Sequence, residues 1–344
     1  MAAARARVRD SVLSGSRRVG SSSREQVSEM QRSRLFGAAV AVVDELGYAR
    51  TSVGHITARA RVSRRTFYEL FENREACFVE LLEHVVGTIE SEIARADLDG
   101  LSWRERVRGG LWTVLCFFDR EPALARVCVV QALRGGPRVL ARREEILARL
   151  AEVLDQGRGE GARAGQSAEL TAEGLVGAAF SIVYARLLRG ERDPLSGLLN
   201  ELMGMIVLPY LGPAAARREQ ARALPAPPVT PVTQDSNSGA SSSAAVASDP
   251  LQDIPMRLTY RTARVLECVA HEPGASNRVL AEHAGITDQG QISKLLARLE
   301  RLGLAANTGE GHSKGEANAW TLTPTGQRVA HSIRAHTHDH RQDA

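Results

Sequence analysis

From Val27 to Leu208 the apolar residues of this chain recur at spacings of three and four, and no run of apolar–polar alternation interrupts them. A stretch with that period folds as a succession of amphipathic helices laid side by side, so the expected fold class over most of the chain is all-α. Helices are expected at about 75–96, 103–119, 122–134, 137–156, 171–189 and 194–208. Pro122, Pro137 and Pro194 fall at their starts, where a missing N–H costs nothing.

The period ends abruptly. From about Gly212 to Asp253 the composition turns to Ala, Pro, Ser and Thr, as in LPAPPVTPVTQDSNSGASSSAAVAS. Such a segment buries too little apolar surface to offset its ordering entropy and is expected to be a flexible linker. The expected organisation is a disordered basic arm at 1–24, a helix-turn-helix at 25–75, a helical domain at 76–211, a disordered linker at 212–255, a compact unit at 256–334 and a disordered tail at 335–344.

Charge separates these parts. Residues 1–75 hold 14 arginines against 8 acids, while residues 76–211 hold 16 arginines against 19 acids, within a chain of net charge +4. Positive charge gathered at one end is what a nucleic-acid contact there requires. The four cysteines, Cys77, Cys116, Cys128 and Cys268, show no CxxC spacing and sit in apolar patterns, which points to reduced core residues. Residues 1–24 are not followed by the apolar stretch of a secretory signal, and no uninterrupted apolar run approaches 18 residues. A cytoplasmic location with no membrane contact is the expectation.

Near the N-terminus, Leu35, Ala38, Ala39, Val42, Val43 and Leu46 form one stripe that Gly47 stops. Thr51 or Ser52 caps a short second helix with Val53, Ile56 and Ala60 inward. Arg61-Val62-Ser63 is a tight turn, and a third helix from Arg64 to Phe71 buries Phe67, Leu70 and Phe71. It exposes Arg64, Arg65, Thr66, Tyr68 and Glu69. Asn73 caps a fourth helix. Two short helices on a tight turn, the second with cationic and hydrogen-bonding side chains outward, can enter a major groove. The words GYARTSVGHITARARVSRRTFYELFENREACF resemble the DNA-binding domain of the TetR family of bacterial regulators over residues 31–75. The resemblance implies groove contacts from Arg64, Arg65, Thr66 and Tyr68, and phosphate contacts from Thr51, Ser52 and Arg74. Arg61 stands where that family's turn usually has glycine, and Arg74 where it usually has lysine.

The same resemblance implies an effector pocket in the helical middle and a dimer formed by its last two helices. LVGAAFSIVYARLL and LSGLLNELMGMIVLPYL hold more apolar positions than one buried stripe needs, which suits a homodimer through residues 171–208. Trp112, Leu115, Cys116, Phe117, Val130 and Tyr184 are candidates to line a pocket for a small hydrophobic effector; such a stripe also serves as plain core.

Beyond the linker, Leu258, Val265, Leu266 and Val269 mark a helix; Ser276 caps a second that Gly285 stops; Ile292, Leu295, Leu296, Leu299 and Leu302 mark a third, ended by Gly303. Leu304 begins a short strand, TGEGHSKGEAN a loop, Trp320 and Leu322 a return strand, and Pro324 a closing helix. Helix-turn-helix plus hairpin, with GITDQGQISKLLARLERLGLA, resembles the winged-helix domain of MarR-like regulators. That resemblance implies a second, small α+β domain with Gln289, Gln291, Ser293, Lys294 and Arg298 toward a groove and His312 or Lys314 on the wing. The charge departs from the pattern, since Glu310 and Glu316 flank Lys314 and residues 256–344 total 11 basic against 9 acidic residues.

The run Gly157-Arg158-Gly159-Glu160-Gly161 follows no strand and reads as an interhelical turn, and His331, His336, His338 and His340 read as solvated rather than metal-binding. No GxSxG, Walker or HExxH sequence occurs, so neither an enzyme, a metal nor a cofactor is expected. The expected partners are double-stranded DNA with a pseudo-palindromic operator, a second copy of the chain and the effector. A constitutive DNA-bridging regulator, or a C-terminal unit that docks protein, are the alternatives left open.

Overall fold

The computed structural model describes residues 27–159, 170–190, 193–226, 259–309 and 318–335. They fall into two compact units: one takes the described residues of Met1–Leu35, Thr57–Leu70 and Asp249–Ala344, the other Phe36–Ile56 and Phe71–Ser248. The basic arm, most of the linker, the loop holding His312 and Lys314, and the tail with His336, His338 and His340 lie outside the described residues.

The described residues open with helix α1 over 27–46, stopped by Gly47 at φ 78°. A 3-10 turn, Tyr48–Arg50, leads to α2 (Val53–Ala60), α3 (Arg64–Leu70) and α4 (Arg74–Arg95). Helix α5 (Trp103–Arg120) is capped by Ser102, which accepts from the Glu105 N–H. Helix α6 starts at Pro122 and runs through Ala125 into a π-helical turn, Arg126–Gln131, and a 3-10 turn, Ala132–Arg134. Helices α7 (Pro137–Asp155), α8 (Thr171–Arg189) and α9 (Leu199–Leu211) follow. Pro122 and Pro137 stand at the starts of α6 and α7, because that signal acts over a single turn, whereas Pro194 opens a 3-10 turn, Leu195–Leu198, and α9 begins only at Leu199. The 3-10 turn Gln156–Gly159 holds the Gly157 stretch, and a Cβ at Gly157 would stand 2.5 Å from the Trp103 ring. That glycine permits close packing rather than phosphate binding.

Two expectations change here. First, the linker does not begin at 212. Pro213–Gln220 form helix α10, packed along α9, with Glu219 buried and paired to the equally buried Arg108 at 2.8 Å. Arg108 also donates to Asn200 Oδ1 at 2.8 Å, and Arg222 pairs with Glu105 at 2.9 Å. The Arg222 pair holds the Glu105 carboxyl below its usual range. An alanine-rich segment reads as low complexity by composition, yet alanine is the best helix former, and here Ala215, Ala216 and Glu219 are buried. Second, α9 turns most of its apolar residues inward: Leu199, Leu202, Met203, Ile206, Val207 and Tyr210 are buried, while Leu208 stays 45% exposed.

In the other unit, α11 (Tyr260–His271), α12 (Asn277–Ala284) and α13 (Gln289–Arg301) precede an antiparallel pair, β1 (Ala305–Asn307) with β2 (Trp320–Leu322), and a last helix, α14 (Pro324–Ala335). Ala306 stands opposite Thr321 in the pair. Ser276 caps α12 and Gly285 ends it in the left-handed region at φ 67°. The α14 backbone meets the start of β1 so closely that a Cβ on Gly326 would lie 1.8 Å from the Leu304 carbonyl oxygen. Leu266, Val269, Leu280, Ile292, Leu296, Leu299, Leu304 and Trp320 form the core.

Candidate nucleic-acid interface

Helix α3 is short and depends on its cap. Ser63 Oγ accepts from the Thr66 N–H at 3.0 Å and shares a hydrogen bond with the Thr66 hydroxyl at 2.8 Å. Phe67 is fully buried, and the adjacent Tyr68 meets its ring edge-on at 5.5 Å while remaining 58% exposed. Arg64 and Arg65 are exposed, and Arg65 Nε donates to Glu69 Oε1 at 2.8 Å. The Glu69 carboxylate raises the Arg65 guanidinium above its usual range. The outer face of α3 is therefore a tyrosine hydroxyl, two guanidinium groups and the Glu69 carboxylate that pairs with one of them, while the Thr66 hydroxyl is spent on the cap.

The turn before α3 keeps its glycine-like geometry without glycine. Arg61 sits at φ 54°, and the Val62 N–H donates to the Thr57 carbonyl at 3.1 Å, closing α2. A non-glycine residue there carries a strain of about 1–2 kcal/mol.

Of the three residues expected on phosphates, only Ser52 is outward, capping α2 by accepting from the His55 N–H at 3.2 Å. Thr51 is 2% exposed and donates to the Gly47 carbonyl at 3.0 Å, so its hydroxyl is not presented to a ligand. Arg74 turns inward as well. Its guanidinium lies 4.4 Å over the Tyr48 ring and donates to the Tyr48 carbonyl at 3.1 Å and to the Thr51 carbonyl. Asn73 caps α4 by accepting from the Ala76 N–H at 2.9 Å.

Sequence reasoning missed the ties from this region to the helical middle. Asp44 of α1 receives a bidentate pair from Arg126 at 2.6 and 2.7 Å, at the start of the π-helical turn, and raises that guanidinium. At the other end of that turn, Gln131 Oε1 accepts from the Tyr48 N–H at 3.2 Å. Glu75 accepts from the Arg138 N–H at 2.8 Å. These partners are some 60 to 80 residues apart, and no local period encodes them.

The pocket candidates divide. Leu115, Cys116, Phe117 and Val130 are buried, and Trp112 and Tyr184 half-buried. Burial pushes the Cys128 thiol up to about 12 and the Cys116 thiol up to about 11, which keeps both protonated at neutral pH. Among the described residues no group of three or more His, Cys, Asp or Glu could hold a metal ion.

On α13 the polar residues are largely engaged with their own fold. Gln291 Oε1 accepts from Arg261 at 2.9 Å. Ser293 donates to the Gln289 carbonyl at 3.0 Å and accepts from Asn277 Nδ2 at 3.0 Å. Asn277 Oδ1 accepts from Trp320 Nε1 at 2.6 Å and from Asn318 Nδ2 at 3.2 Å. Gln289, Lys294 and Arg298 are exposed. Lys314 lies outside the described residues.

A capped, short helix with exposed arginine and tyrosine side chains after a tight turn has the geometry of a helix-turn-helix. Residues 35–81 match the sequence profile described as "Bacterial regulatory proteins, tetR family". The chain's relatives include the HTH-type transcriptional regulator HbdR of Aromatoleum sp. (strain CIB), 28% identical over 117 residues, which are 33% of this chain and 51% of HbdR. The HTH-type transcriptional repressor NicS of Pseudomonas putida is 23% identical over 113 residues, 33% of this chain and 53% of NicS. The chain thus spans about half the length of the curated relatives it matches. Among solved structures, the fatty acid degradation regulator FadR from Bacillus halodurans aligns with a TM-score of 0.46 at 20% identity, covering 52% of this chain and 94% of that one.

Proposed function

We propose that this chain is a sequence-specific DNA-binding transcriptional regulator that acts in the cytoplasm, as a homodimeric repressor released by a small hydrophobic effector. The observation that carries the reading is the outer face of α3: Arg64, Arg65 and the 58% exposed Tyr68 stand on a helix anchored by Phe67. Guanidinium groups at that place reach guanine acceptors or phosphates, and a tyrosine hydroxyl reaches either. HbdR is a transcriptional regulator and NicS a transcriptional repressor, which supports regulation and repression here. The ties of Asp44 to Arg126 and Tyr48 to Gln131 support effector response, since they join the first helix and its following turn to a π-helical turn of the helical middle.

Dimerisation is proposed through α8. That helix is long and apolar enough to cross a membrane on length and composition, yet only 17% of its apolar window is buried. Gly174, Gly177, Ser181, Ile182 and Leu188 are exposed on it, and a Cβ at either glycine would meet nothing within 4 Å. A second copy seated there covers the face with close helix contact. The C-terminal unit is proposed as a winged helix that adds DNA affinity through Lys294 and Arg298, supported by its order of three helices, two strands and a helix.

The test is selection of bound fragments from genomic DNA followed by footprinting. A pseudo-palindrome whose protection is lost in Tyr68→Ala is the expected result. Equal affinity for every fragment, in wild type and variant, would refute operator reading by α3.

A further inference from the structure

The C-terminal core is not completed by C-terminal residues alone. Val27 and Met30, from the first turn of α1, are 4% and 3% exposed and belong to the same apolar cluster as Val265, Leu266, Ile292, Val329 and Ile333. The two positions are three apart, so they share one face of α1. The compact unit that contains them also takes in Thr57–Leu70, the segment that holds α3. More than two hundred residues of chain, including the linker stretch, separate this helical turn from the core it enters.

We propose that Val27 and Met30 form a docking knob by which the C-terminal unit seats on the first helix of the helix-turn-helix, so that this unit is held in place and does not roam. Linkers of composition like 227–258 allow a unit to roam, and a roaming unit adds affinity without fixing register. A seated unit holds α13 at a set distance from the helix that leads into α2 and α3. Resting on the DNA-reading function proposed above, this makes the two outward faces one composite reader with a fixed spacing on the duplex. The surface is apolar and small, and it is made from two residues of a helix that also serves the reading head.

The seat is tested on the full chain without DNA. A site-specific protease sequence is inserted between Ser238 and Gly239, the protein is nicked, and the fragments are run on a sizing column. The expected result is co-elution of both fragments for wild type and for Met30→Leu, which keeps an apolar side chain, and separation for Met30→Glu with unchanged helical content. Separation of the nicked wild-type fragments overturns the proposal, and so does co-elution of the nicked Met30→Glu fragments. Should Met30→Glu fail to fold, Val27→Ala is compared for a lower salt or urea threshold of separation; an unchanged threshold counts against the knob. The consequence for DNA is read separately, on a target in which the duplex flanking the operator is lengthened by about half a helical turn, roughly five base pairs. A seated unit loses its contribution to affinity at the half turn and regains it at the full turn. A flat response with co-eluting fragments leaves the seat in place and refutes the composite reading of DNA.

Discussion

The molecule contains two helix-turn-helix segments, and they treat their second helices in opposite ways. On α3 the outward side chains are bound to little besides each other: Arg65 pairs with Glu69 on the surface, and Tyr68 projects past the buried Phe67. On α13 the corresponding face is knitted into the unit, with Gln291 held by Arg261 and Ser293 by Asn277. Asn277 alone joins α12, α13 and the base of the hairpin through Ser293, Trp320 and Asn318. A side chain whose hydrogen bonds are already made loses them on meeting a base, so the reading proposed for α3 finds less support on α13. The cations left free on α13, Lys294 and Arg298, suit phosphate contact, which carries no sequence information.

The largest expected effect tests whether α3 reads in pairs. Ile182→Glu places a charge on the face where α8 would meet its copy, which costs about 3–5 kcal/mol once buried without a partner. Sedimentation should show monomers and footprinting a half-site. Leu199→Glu is the wrong tool for this purpose, because Leu199 is fully buried in its own unit and the change would unfold it.

Next come the substitutions that separate reading from holding. Arg64→Ala or Tyr68→Ala should each weaken specific binding by about 1–3 kcal/mol with the thermal midpoint unchanged. Asn277→Ala should do the reverse. It strands the Trp320 N–H and an Asn318 N–H, so the C-terminal unit loses about 1–3 kcal/mol of stability while operator choice stays the same. Hydrogen exchange in α12 and β2, set beside a binding titration, distinguishes the two. A loss of operator choice in Asn277→Ala would collapse the comparison.

A smaller effect probes the turn. Arg61→Gly relieves a residue held at φ 54° and should raise stability by about 1 kcal/mol, read as a shift in the denaturant midpoint.

What the sequence made legible follows the range of the interactions. Ser63, Asn73, Ser276, Gly47 and Gly285 act within a turn of themselves, and each sits at the helix end it was expected to mark. Thr51 and Arg74 look like surface residues in sequence because a threonine cap and an arginine in a first helical turn are usually solvated. Their inward roles arise from the Gly47 carbonyl and the Tyr48 ring, which come near only on folding. Helices α8 and α9 carry the same excess of apolar residues, and no period separates them. What separates them is α10, a helix concealed in alanine-rich composition, which covers α9 and leaves the stripe of α8 open.

The smallest expected effect is the most direct measure of what α13 does. Lys294 and Arg298 lie one turn apart on an exposed face and project as a pair. Each phosphate they neutralise releases condensed counterions, so each contact contributes about 0.9 to the slope of log affinity against log salt. Lys294→Ala and Arg298→Ala should each lower that slope by about 0.9 and weaken all sequences alike. Gln291→Ala and Ser293→Ala should leave slope and sequence preference unchanged, because those side chains are committed to Arg261 and Asn277. Truncation just after Arg222, which spares the Glu219 and Arg222 pairs, should remove the combined slope of both cations and leave the footprint on the same operator. A cut at Gly212 would instead expose the buried Arg108 and confound binding with unfolding. If the slope survives the truncation after Arg222, α13 does not touch DNA, and its exposed cations then face an acidic protein surface instead.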